Sequence, residues 1–168
     1  MTVHPTPVAA GQTTEELVER GRYGYAHSQV TSDNFPARAI AAAAGVRRIV
    51  LLQLPGEVTA ADALAEAARR GLERPLYEDA LHFGIAHPEV QLAGPVVFLH
   101  DPWFGFFGRR DVLCLWSNAG RRELGLEGFD ARWGPEYRFA FVAPEDGRAT
   151  AGDATRSSDA TRSSDGGR

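Results

Sequence analysis

The stretch from His100 to Arg110 gathers most of what in this chain could bind or react. It holds His100 and Asp101, then Trp103, Phe104, Phe106 and Phe107 spaced by Gly105 and Gly108, then Arg109 and Arg110. Four large aromatic side chains in a glycine-spaced segment are costly to leave in water. They either form a contact patch for a partner or fold back to complete the core. The first reading makes Trp103, Phe104, Phe106 and Phe107 a binding surface, with Arg109 and Arg110 beside it for an anionic group. A second arginine pair, Arg121 and Arg122, lies further on, and Asp111 and Glu123 are close enough in sequence to neutralise part of both pairs. A catalytic reading is narrower. His100, Asp101 and Cys114 would have to converge across a hairpin as base, orienting acid and nucleophile. Otherwise a thiol inside the apolar run from Val112 to Trp116 behaves as a small core residue.

Other chemistry is sparse. His82 and His87 are five residues apart, which puts them on different faces of a helix rather than on one zinc-binding face. No cysteine or histidine cluster has ligand spacing, so neither a metal nor another cofactor is expected. The polar stretch from Tyr25 to Asn34 offers His27, Ser28, Thr31, Ser32, Asp33 and Asn34, which either line a pocket or satisfy the backbone of a structured turn. A nucleophile elbow, a phosphate-binding glycine loop and a dinucleotide fingerprint are all absent from the sequence.

The elements that position these residues follow from caps and periodicity. Residues 1–12, with Pro5, Pro7 and Gly11, read as a flexible lead-in. Thr13 with Glu16 forms a capping-box pattern for a short helix ending near Gly21. Ala37 to Ala44 suits one or two helical turns. Arg48 to Leu54 is a continuous apolar run and reads as a buried strand. Thr59 with Asp62 opens a helix that runs to Gly71, and another follows Pro75, stopping before Pro88. From Pro95 the period becomes that of strands, at residues 96–100, 111–117 and 137–143, with an extra strand over 121–126. Two to three N-terminal helices packed on a mostly antiparallel sheet of four to five strands is the α+β arrangement this order predicts, within one domain over residues 13–144. Residues 145–168 carry the sequence DATRSS twice, at 153–158 and 159–164, with no large apolar side chain, and read as a disordered tail.

The composition narrows the classes further. The chain has 168 residues and a net charge of -4, which argues against a general nucleic-acid binder. All 18 of its basic residues are arginine. No apolar run reaches membrane-spanning length, no secretory leader is recognisable, and the one cysteine has no partner, so a reduced cytoplasmic protein is expected.

Three stretches, residues 25–36, residues 71–91 with 95–99, and residues 136–142, resemble a loose group of short uncharacterised bacterial proteins. The likeness covers most of residues 14–143, rests on structural punctuation and implies no catalytic residue. The order of early helices, Trp103, Trp116 and Trp133, and a closing strand at 138–142 also looks faintly like a C-type-lectin-like core. That fold's disulfide cysteines and calcium-ligand run are missing here. The sequence therefore supports a non-enzymatic binding module that takes a protein partner, or itself, through the aromatic loop. The alternatives are a small enzyme with a pocket formed by His27, His100, Asp101 and Cys114, or an oligomerising structural protein.

Overall fold

The computed structural model describes residues 1–37 and 45–145. The expected tail and the helical turns over 37–44 lie outside that set, apart from Glu145 and Ala37 at their edges. Among the described residues, three α-helices start where short-range capping chemistry dictates. Thr13 precedes α1 (Thr14–Gly21): its side chain accepts from the Glu16 amide at 3.2 Å while the Glu16 carboxylate accepts from the Thr13 amide at 2.8 Å. Thr59 and Asp62 repeat the device at α2 (Ala60–Arg69). In α3 (Tyr77–Ala86) the carboxylate of Asp79 accepts from the Leu76 amide at 2.8 Å. Arg47 donates two further bonds to the same fully buried carboxylate, at 2.8 and 2.9 Å, so one group serves as both cap and ion pair.

The strands are β1 (Val3–Val8), β2 (Tyr25–Ala26), β3 (Gly45–Gln53), β4 (Val96–Phe98), β5 (Trp103–Phe104), β6 (Arg110–Asn118), β7 (Arg121–Gly128) and β8 (Arg138–Val142). Among the described residues they form one sheet in the order β1-β3-β8-β4-β6-β7-β2, with β5 added to β6. Pairs β4–β8 and β2–β7 are parallel and the others antiparallel. This overturns the expected arrangement of two to three leading helices on a mostly antiparallel sheet of four to five strands. The molecule is mostly sheet, the sheet is mixed, and α2 and α3 sit between strands in the chain order.

The extra strands have identifiable reasons for escaping notice. Residues read as a lead-in form β1, where Pro5 and Pro7 lack amide donors and are tolerated because the strand lies at the sheet edge. Strands β2 and β5 are two residues long, too short to show a period. Long-range pairing, not local pattern, makes them strands.

Alternation along the central strands divides the core in two. Leu113, Leu115, Val96, Phe98, Ile49 and Ala140 point to one face, against Leu17 of α1 and Leu81 and Phe83 of α3. Val112, Cys114, Val97, Val50, Phe139 and Phe141 point to the other, against Ala63 and Ala67 of α2 and against Trp133. Strand β6 is buried on both faces from Asp111 to Leu115, which accounts for its unbroken apolar run. The α1/α3 face carries the aromatic loop at one end of β6.

Candidate functional site

The aromatic loop is a tight excursion between β5 and β6. Trp103 pairs with Asp111 and Phe104 with Arg110, and the Gly105 amide donates to the Arg109 carbonyl at 2.9 Å. Period-two alternation then separates neighbours. Trp103 turns inward, its ring 5.5 Å from that of Phe35, and Phe104 turns outward at 68% exposure. Gly105 makes the inward turn possible, because a Cβ there would stand 2.8 Å from Cζ3 of Trp103. Beyond it, Phe106 is 73% exposed and Phe107 fully exposed at 106%. Phe107 also has φ +62°, a left-handed conformation that bulky side chains rarely adopt.

Below the loop lies an open hollow of about 250 Å³. Trp103, Phe106, Phe107, Arg109, Asp111 and Leu126 line it, and His27 and Gln29 close it from the segment after β2. His27 reaches this position because β2 runs parallel to β7 and the His27 amide donates to the Leu124 carbonyl at 2.9 Å. Its Nδ1 accepts from the Gln29 amide at 3.2 Å. The arginines beside the loop are paired within the chain. Arg109 donates to Asp111 at 2.7 Å, and Arg110 pairs with Asp130 while its guanidinium lies 5.0 Å from the Phe129 ring centroid. The loop therefore presents apolar rings in a rim whose charges are already compensated.

The His100, Asp101 and Cys114 grouping does not assemble. His100 is buried; its Nδ1 is 2.7 Å from the Asp101 carbonyl and its Nε2 is 3.0 Å from the Leu113 amide. That amide can only donate, so Nε2 accepts and the proton sits on Nδ1, leaving no lone pair to act as a base. Burial pushes the imidazole pKa down to about 4, and the ring packs edge-on to Phe35 and Tyr77 as part of the core. The Asp101 side chain points to solvent and pairs with Arg74 at 2.7 Å. Cys114 lies on the opposite face of the sheet, fully buried, with burial raising its thiol far above the range of a reactive thiolate. Among the described residues no group of three or more His, Cys, Asp or Glu side chains could hold a metal ion. His82 is buried on α3, and Nε2 of His87 is 2.8 Å from the Pro5 carbonyl.

Several arginines act as internal staples, a role the paired spacing at 121–122 does not reveal. Arg122 donates to the carbonyls of Gly21 and Gly84, both at 2.6 Å, and so ties the ends of α1 and α3 to β7. It also lies 4.8 Å from the ring centroid of the partly buried Tyr23. Arg74 donates to the carbonyls of Leu99 and His100 at 2.6 and 2.9 Å, which anchors the strand end leading into the aromatic loop. Arg121 pairs with Glu123 at 2.7 Å. The residues missed at the hollow, Gln29 and Leu126, carry no local signal; the β2–β7 pairing brings Gln29 to it and the β6–β7 pairing brings Leu126.

No family model, curated protein or solved structure matches this chain.

Proposed function

We propose that this chain is a non-enzymatic interaction module that inserts Phe104, Phe106 and Phe107 into an apolar pocket on a protein partner. The observation that carries the reading is the exposure of these three rings on a loop whose root is fixed. Trp103 is packed against Phe35, and Gly105 is bonded to Arg109. A rigid root lowers the ordering cost of binding, and each phenylalanine transferred from water contributes about 1.5–3 kcal/mol. The left-handed backbone at Phe107 favours small residues, so the monomer gains nothing from a phenylalanine there. Arg109, Arg110 and the hollow beneath would form the polar rim around this anchor. Compensation of those arginines by Asp111 and Asp130 fits a protein partner better than a nucleic acid. No described helix is long and apolar enough to cross a membrane. A lone buried thiol suits the reducing cytoplasm, where we place the protein.

The test is photo-crosslinking from position 106 in the native cell. With a benzophenone amino acid in place of Phe106, one dominant heterologous adduct is expected, abolished by Phe104→Ser/Phe107→Ser with circular dichroism unchanged. An adduct only between copies of the chain, matched by a dimer in sedimentation, would replace the partner with self-association. Absence of any adduct would overturn the reading.

A further inference from the structure

A second hollow lies on the opposite face of the sheet, built from other residues and independent of the aromatic loop. In the antiparallel β6–β7 ladder, Cys114 pairs with Gly125, so the two smallest side chains of that face stand opposite each other. The flanking pairs are Val112 with Glu127 and Trp116 with Glu123, and they rise on either side of this low point. The indole of Trp116 leans over Gly125, where a Cβ would come within 2.9 Å of Nε1. Tyr137, just before β8, and the Gly94–Pro95 turn before β4 complete the walls. The result is a hollow of about 210 Å³ walled by Trp116, Ser117, Glu127 and Tyr137, with the fully buried Cys114 beneath them. That is smaller than the roughly 300 Å³ at which sites for drug-sized ligands begin, and it suits a single head group.

We infer that this hollow binds a small methylated ammonium ion, with the carboxylate of Glu127 as counter-charge and the rings of Trp116 and Tyr137 as its walls. Glu127 is half-buried, and among the described residues its carboxylate takes part in no hydrogen bond or ion pair. Arg109, whose charge reaches it, is bonded to Asp111. Burial raises the Glu127 carboxyl above its ordinary value, which marks a charge lacking a full counterpart. The same charge helps to raise the Tyr137 hydroxyl, after burial.

The degree of methylation follows from what the rim can accept. A primary ammonium needs acceptors for three N–H groups. Here the carbonyls of Gly94, Pro95 and Trp116 each already accept one bond, from Arg138 or Gln91. The remaining acceptors are the Glu127 carboxylate and the Ser117 and Tyr137 hydroxyls, and the larger part of the wall is apolar. A methylated ammonium needs no such ring of acceptors, only aromatic surface and a negative charge.

The experiment follows the indole N–H resonances of the full chain during titration with choline chloride. Its neutral tert-butyl isostere, 3,3-dimethyl-1-butanol, and unmethylated ethanolamine serve as controls. Choline is expected to shift the Trp116 indole resonance, assigned with Trp116→Phe, to saturation, and both controls to bind about tenfold more weakly or worse. Glu127→Gln, which keeps shape and fold, should weaken choline by a similar factor, while Phe104→Ser/Phe106→Ser should leave it unchanged. Equal binding of the neutral isostere, equal binding of ethanolamine, full affinity in Glu127→Gln, or no saturable shift at Trp116 would each overturn the assignment.

Discussion

Trp103 and Phe104 are adjacent aromatic residues with opposite fates, and each belongs to a larger region that shares its fate. On the inner side, Trp103, Phe35, Tyr77 and His100 form a cluster whose ring centroids lie 5.5 to 6.2 Å apart in contacting pairs, and the imidazole bonds the backbone at both nitrogens. On the outer side, Phe104, Phe106 and Phe107 face solvent. Residue type does not separate the two regions. Direction does: alternation in β5 and a glycine next to the Trp103 ring send one set into the core and leave the other free. The inner region should therefore answer to stability measurements and the outer one to binding measurements.

His100 offers the largest test of that division. His100→Leu leaves the buried Leu113 amide without its acceptor and the Asp101 carbonyl without its donor, and should cost about 3 kcal/mol in urea denaturation near pH 7.5. Acid should do the same to the wild type. The imidazole is neutral when folded, with its pKa lowered from 6.5 to about 4, whereas the unfolded chain takes up a proton at the ordinary value. The stability linked to this group is complete above pH 6.5 and is lost as pH falls towards 4, by up to about 3 kcal/mol. Burial shifts His82 in the same direction. Denaturation midpoints measured from pH 7.5 to 4 should fall steeply in wild type and more gently in His100→Leu. Equal slopes would remove His100 from the inner region's energetics.

Gly105 sits at the boundary and should give the next largest effect. Adding a methyl group 2.8 Å from Cζ3 of Trp103 forces the indole outward or distorts β5, so Gly105→Ala should cost about 1–3 kcal/mol in the same assay. Trp103 emission should move to longer wavelength, read as the difference from a Trp103→Phe background. A stable Gly105→Ala variant with unchanged emission would mean that the loop root can relax, which weakens the case for a pre-ordered anchor.

How much of this was legible beforehand depends on the range over which each feature is encoded. The caps at Thr13 and Thr59 lie within three residues of their partners, and both helices begin where those patterns place them. The apolar runs of β3 and β6 announce themselves because a strand buried on both faces needs no alternation. Strand β1 was hidden by its prolines, and the mixed order of the sheet by pairings such as Val96 with Arg138, whose partners are far apart in sequence. The same limit applied to the site. Sequence alone marks residues 103–107 as unusual, but not which rings turn inward, because β5 is too short to display a period. Nor does it show that His100 and Cys114 fall on opposite faces, since that depends on how β6 pairs with its neighbours.

Phe107 provides the smallest effect on stability and the finest separation of the two regions. Its side chain is fully exposed and its φ of +62° lies where asparagine is tolerated and a bulky residue is not. Replacing it removes no packing, so Phe107→Asn should raise stability by about 0.5–1 kcal/mol, measured as an increased urea midpoint at unchanged slope. If the outer region is an anchor, the same substitution should reduce the heterologous crosslink from position 106, because a ring that would be buried on binding is gone. Stability and capture would then move in opposite directions at one residue. A substitution that stabilises the chain and leaves capture intact would confine the anchor to Phe104 and Phe106. One that destabilises it would show that the Phe107 ring supports the loop, moving it to the inner side of the comparison.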